Sequence, residues 1–303
     1  MSNVTSTQFP TVAATMPTYQ WSWQGQSLSI AYETEGVGKP ILLLPAFSTV
    51  SSRTEMSGLA ALLKSQFQVT TVDFPGFGDS ARPRLDYAAP LYRQFLADFI
   101  RDIYTSPITI IAAGHAAGYA LNLAATAPNS VSELVLLAPT WRGPLPTMAQ
   151  GQKPWLKGVR ELIRTPILGQ FLYQLTTTPS FLAFMYRRHV YADANKLTPD
   201  LLTQKRQLTQ QPGARYGSAA FVTGGLDPYL DRSEAIAHLQ SLTIPVLVAI
   251  GQSSPPKSTA EMQALAAVPN IVSHTLPGTL GMHEEYPTEL YEVILPFLTS
   301  HQD

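Results

Sequence analysis

Apolar residues in this chain come in short continuous runs that alternate with stretches of helical period. Residues 40–44 (PILLL), 108–112 (ITIIA), 134–137 (LVLL) and 245–250 (PVLVAI) are such runs, and the β-branched stretch 68–72 (QVTTV) stands between the first two. Runs rich in aliphatic and β-branched residues predict strands, and those without a polar alternate face predict strands buried on both sides. Between them, residues 54–63 and 258–266 have helical spacing. Residues 87–103 carry Leu91, Phe95, Leu96, Phe99 and Ile100 on one side, the pattern of an amphipathic helix. An Ala-rich helix begins at Ala116, a strand covers 273–276, and a closing helix runs over 284–298. At the front, residues 21–23 and 28–33 read as a hairpin pair turned at 24–26. Strands alternating with helices predict an α/β fold with a mostly parallel, doubly wound sheet.

The alternation stops between Arg142 and Arg232. This interval is rich in aromatics, Leu and Pro, as in WLKGVRELIRTPILGQFLYQL and FLAFMYRRHVYA, and predicts several short helices inserted after the strand at 134–137. An insertion at the carboxyl end of a parallel strand lies over the crevice where such sheets bind ligands. The expected organisation is therefore a flexible arm over residues 1–18, a core made of 19–141 and 233–303, and a helical cap over 142–232. The cap is expected to close a largely apolar pocket, with many of its apolar residues packing it onto the core.

Composition narrows the function classes. A chain of 303 residues with net charge −1 and pI near 6.6 has no basic footprint, so nucleic acid is not an expected partner. The absence of Cys removes disulfides, thiol catalysis and thiolate metal sites. No apolar run has the length of a membrane span, and the first residues lack the pattern of a secretory signal. A cytoplasmic location is expected, with a divergent transit peptide as the alternative for the arm. No metal-ligand spacing is found, and Gly76-x-Gly78 is not a dinucleotide fingerprint, so no cofactor is expected.

The stretch at 108–118, ITIIAAGHAAG, reads as a strand, a tight turn and a helix. The small residues Ala113, Gly114, Ala117 and Gly118 suit a sharp turn, or equally a βα unit with close helix–sheet packing. The residues Asp73-Phe-Pro-Gly-Phe-Gly-Asp-Ser80 form a D-x-P-G-x-G-x-S loop after the second central strand, continued by Arg82-Pro83. Ala138-Pro139 follows a strand, and His283-Glu284-Glu285-x-Pro287 precedes the last helix. In these motifs and their order the chain resembles the α/β-hydrolase superfamily, in its capped branch with epoxide hydrolases, haloalkane dehalogenases and haloperoxidase-like esterases. The resemblance covers nearly everything from Trp21 to Leu298.

That resemblance implies a nucleophile elbow, G-x-S-x-G, in which Ala116 takes the nucleophile's place between Gly114 and Gly118. It puts Ser253 or Ser254, in the turn Gly251-Gln-Ser-Ser-Pro255, where the triad's acid stands. The catalytic His falls nearest Leu280, while His283 matches a second, non-catalytic His and reaches the site only with a register shift. The oxyanion loop is replaced by Pro45-Ala46-Phe47; backbone N–H groups of Phe47 and Ala117 are the expected donors, although Pro45 has none. Ser48 and its neighbours either line the pocket or cap their own loop. His115, beside the turn, is expected to be a packed, hydrogen-bonded residue.

Three altered triad positions imply a protein on this fold without the Ser-His-Asp mechanism, binding a small apolar molecule or a protein partner in the capped crevice. One alternative is a hydrolase whose Ser has been replaced by Ala116. Another is a lyase, isomerase or cofactor-free oxygenase using His115 or His283 as base. Asp73 and Asp79 are expected to cap loops or pair with Arg82 or Arg84, Arg187-Arg188-His189 to be a solvated face, and Asp227-Pro228 to form a turn near the cap's end.

Overall fold

A computed structural model describes residues 17–300. Eight strands form one sheet: β1 (Thr18–Trp23), β2 (Gln26–Glu35), β3 (Lys39–Leu44), β4 (Phe67–Val72), β5 (Ile108–Ala113), β6 (Val131–Leu137), β7 (Val246–Gly251) and β8 (Ile271–Leu276). Their order across the sheet is β1-β2-β4-β3-β5-β6-β7-β8. The first two pairings are antiparallel and every later one is parallel. The expected arm lies outside the described residues up to position 16, and its last residue, Thr18, opens β1.

Every residue of β5 and β7 is buried. This is the reason the sequence shows apolar runs there without a polar alternate. The helices α1 (Ser57–Leu63), α2 (Ala89–Ile103) and α3 (Ala116–Thr126) follow β3, β4 and β5. α2 buries Leu91, Phe95, Leu96, Phe99 and Ile100, the stripe read from its spacing. The helix expected at 54–63 begins instead as a tight turn, Arg53–Met56, whose first amides are capped by Ser52.

After β6 the chain leaves the sheet for the cap: α4 (Pro144–Met148), α5 (Pro154–Arg164), α6 (Leu168–Leu175), α7 (Pro179–Met185), α8 (Pro199–Thr209) and α9 (Ala214–Val222). It returns through α10 (Arg232–Ser241), which packs on α3, then β7, α11 (Pro256–Ala266) and β8. The expected closing helix is split into α12 (Met282–Glu285) and α13 (Pro287–Thr299), with Pro287 at the first position of α13, where a missing N–H costs nothing. Among the described residues no helix is long and apolar enough to cross a membrane.

Candidate functional site

Three loops meet at the carboxyl ends of the central strands. β5 ends at Ala113, Gly114 takes a left-handed conformation (φ +52°), and α3 opens at Ala116 with His115 as its cap residue. A left-handed backbone is disfavoured for every residue with a Cβ, so the sharp turn between strand and helix sits at Gly114. Ala116, expected at that apex, is a buried residue of the first helical turn. The Gly114 carbonyl accepts N–H bonds from Ala117 (3.3 Å) and Thr140 (3.1 Å). Ala117, expected as an oxyanion donor, therefore has its N–H engaged within the turn.

The space over Gly114 is closed. A Cβ built there would lie 3.0 Å from the Cβ of Ala46 and 3.8 Å from the Thr140 hydroxyl oxygen. Phe47 is buried, stacks on Phe74 with ring centroids 4.4 Å apart, and meets Phe77, Tyr92 and Tyr119 edge-on. It packs the crevice floor instead of lining an open pocket. The Ser48 hydroxyl accepts the Val50 N–H at 3.1 Å, closing its own loop. A separate cavity of about 10 Å³, lined by Ala117, Leu121, Thr140, Tyr229, Ala235 and Leu265, is at the limit for one water molecule.

His115 has both ring nitrogens engaged. Nε2 lies 3.4 Å from Asp227 Oδ1 and Nδ1 lies 2.9 Å from the Thr140 hydroxyl. A carboxylate only accepts, so Nε2 is the donor to Asp227, while the Thr140 hydroxyl can serve Nδ1 as either partner. Asp227 also accepts the Gly143 N–H (2.8 Å) and the Gln152 amide (2.9 Å). One carboxylate thus joins the elbow to the first and last turns of the cap. Pro228 sits where a Cβ on Gly118 would be, 2.4 Å away, so α3 needs a glycine there for the cap's return strand to approach.

The remaining candidates lie along the cap–core seam. In the turn after β7, Ser253 and Ser254 donate their N–H groups to Gly278 and Gly251, and the buried Ser254 hydroxyl has no partner among the described residues. Leu280 is partly buried against the core. Its neighbours are held by the cap: Gly281 donates to the Val190 carbonyl at 3.0 Å, and the Thr279 hydroxyl donates to the carbonyls of His189 and Val190. His283 is buried with Nε2 3.3 Å from Glu55. Lys205, carried on α8, reaches Glu55 at 3.3 Å and Glu284 at 2.8 Å. Burial opposes the charged form of Glu55, but the Lys205 ammonium and the His283 hydrogen bond outweigh it and hold its carboxyl below the usual glutamate range. Burial likewise opposes the Lys205 ammonium, and the surrounding carboxylates hold it well above the usual lysine range.

In the D-x-P-G-x-G-x-S loop, buried Asp73 pairs with Arg53 and accepts the Asp79 N–H at 2.8 Å. The partner is Arg53, not Arg82 or Arg84 as expected, because the turn after β3 brings its guanidinium under the loop. Ser80 closes the motif by donating to the Asp73 carbonyl at 2.7 Å and accepting the Ala31 N–H at 3.0 Å. Among the described residues, no group of three or more His, Asp or Glu is placed to hold a metal ion.

A family model described as "Alpha/beta hydrolase family" matches residues 41–293. This chain belongs to the alpha/beta hydrolase family. An esterase from Thermogutta terrifontis superposes with TM-score 0.72 at 20% identity, over 95% of this chain and 99% of that one. The haloalkane dehalogenase DatA from Agrobacterium tumefaciens gives TM-score 0.71 at 19% identity, over 94% and 96%. At such identities the likeness is one of fold. Uncharacterized proteins of Mycobacterium tuberculosis and Mycobacterium bovis are 30% identical over 108 residues, 36% of this chain. That stretch spans 31% of the length of those curated relatives.

Within this alpha/beta hydrolase, sequence reasoning missed Thr140, Asp227, Glu55 and Lys205. Asp227 had no local signal, since 112 positions separate it from His115. Thr140 directly follows the Ala138-Pro139 pair, and Ala138 is itself left-handed (φ +41°), a strained turn that directs the next residues towards the elbow. Lys205 stands in the polar stretch TQKRQ, where nothing marks it for burial, yet it is 2% exposed.

Proposed function

We propose that this alpha/beta hydrolase family member does not hydrolyse a substrate and works by docking through its cap. The observation that carries the reading is Gly114. In this fold the nucleophile sits on the strained residue between strand and helix, and the residue with that conformation has no side chain. The motif is then Ala112-Ala113-Gly114-His115-Ala116, with small residues two positions to either side. A Cβ at Gly114 would lie 3.0 Å from the Cβ of Ala46, so a serine there would press against the turn after β3.

Other readings lack support from the geometry. A hydrolase disabled only at Ala116 would need that residue at the turn. A His115 base would have to break its contacts with Thr140 and Asp227, and His283 is held to Glu55 at the seam. A small apolar ligand over the elbow competes with the Phe47 ring cluster. Large apolar side chains stand exposed on the cap instead, which supports docking on its outer face rather than inside the crevice.

Steady-state turnover of short activated esters tests the proposal. A site stripped of its triad retains about 10³–10⁴-fold over water when its oxyanion hole and binding pocket survive. Here the expected rate lies below that level and does not scale with protein purity. Saturable turnover above it, abolished by a substitution near Gly114, would refute the reading.

A further inference from the structure

The cap exposes apolar side chains at helical spacing. On α5, Trp155 and Leu162 are exposed, and on α6, Leu168, Phe171 and Leu175, with Ile167 between the helices 87% exposed. Residues three, four and seven apart share one helix face, so each helix turns a continuous apolar stripe to solvent, and the two helices pack on each other. Phe181 and Phe184 extend the exposure onto α7. Single exposed apolar residues are ordinary; a run of bulky ones over consecutive helices marks an interaction surface.

Charge in the same segment has one sign. Residues 142–191 contain seven Lys and Arg and a single acid, Glu161, in a chain whose net charge is −1. Glu161 is itself paired with Arg164. Lys153 and Lys157 flank the start of α5, and Arg187 and Arg188 follow α7; all four are exposed, and among the described residues none of the four is ion-paired. Arg187 and Arg188 lie in a widened turn, Tyr186–Val190, closed by the Tyr191 N–H on the Tyr186 carbonyl at 2.9 Å.

We infer that the outer face of α5–α7 docks on the surface of an anionic lipid bilayer. An apolar stripe with aromatic tips, rimmed by lysine and arginine, is the composition of a helix that lies in the membrane interface. Anionic headgroups complement the unpaired cations. A protein interface carries a polar rim with hydrogen-bonding groups, whereas cations outnumber acids along this segment and the two acids that meet it, Glu161 and Asp86, are both ion-paired to Arg164. The cap is fastened to the core by Lys205, Asp227 and Val190.

The inference rests on the docking reading above, and the two can fail separately. Co-sedimentation of the full chain is measured with vesicles of phosphatidylcholine containing about one-third phosphatidylserine, and with phosphatidylcholine alone. Binding to the anionic vesicles is expected, weakened about tenfold or more by neutral vesicles, by Lys153→Glu/Lys157→Glu, or by Ile167→Ser/Phe171→Ser. These side chains are exposed, and unchanged thermal unfolding of the variants shows that the fold is kept. No binding to anionic vesicles would overturn the inference, as would binding that all the variants retain. Concentration-dependent dimerisation lost in Ile167→Ser/Phe171→Ser, without vesicle binding, would assign the face to a second copy and also overturn it. Ester turnover would refute the docking reading while leaving vesicle binding intact; absence of both would refute this inference alone.

Discussion

Gly114 separates two residue assignments that look alike in sequence. With Ala116 at the apex, the flanking glycines are Gly114 and Gly118; with Gly114 at the apex, the small flanks are Ala112 and Ala116. Both fit a rule about size, and only the backbone decides, because one residue in the turn must have positive φ. The clue available in sequence was the run ITIIAA, which already fills the strand up to Ala113. Gly114→Ser is expected to destabilise the protein by about 1–3 kcal/mol, from the left-handed backbone and the added atoms against Ala46. Adding Ala46→Gly should return the contact part of that loss and leave the backbone part. Denaturant unfolding of the single and double variants measures both. Ala116→Ser, placed in the helix, should restore no turnover.

At the scale of elements, the seam between α8 and the core depends on a buried lysine among carboxylates. Lys205→Met leaves Glu55 and Glu284 without their cation, a change expected to cost about 3–5 kcal/mol near neutral pH. The sign of the pH dependence follows from Glu55. Its folded carboxyl is held below its unfolded value, so it adds stability above the ordinary glutamate range and loses it as pH falls through the folded value. In the Lys205→Met chain the attraction is gone and burial acts unopposed, which favours the protonated acid. The stability gap between the two chains should therefore be widest near neutral pH and narrow as pH falls. A gap that stays constant into acid would show that Lys205 acts by packing alone.

Across the whole molecule, the sheet and its order of elements were legible because their causes are local. Buried parallel strands require apolar runs, and the D-x-P-G-x-G-x-S loop and the Ala-rich helix mark the chain's turns between them. The break in that alternation coincides with the run of helices α4 to α9. What stayed hidden depends on distant partners. Arg53 rather than Arg82 meets Asp73, Asp227 returns to His115, and Lys205 is buried because Glu55 and Glu284 surround it. An apolar pocket was expected beneath the cap. Its floor carries the Phe47 ring cluster, and the residues 47, 74, 92 and 119 are too far apart in sequence to suggest that contact.

The absence of a working nucleophile is tested most directly by intact-mass measurement of the chain after exposure to a reactive organophosphonate. Such a reagent forms a stable covalent adduct with any activated serine or threonine, whether at the elbow, at Thr140 or at Ser254. The expected result is an unchanged mass over the time in which an active serine hydrolase of the same fold is fully labelled. A single stoichiometric adduct, lost on substitution of one hydroxyl residue, would contradict the non-hydrolytic account and identify the nucleophile in the same experiment.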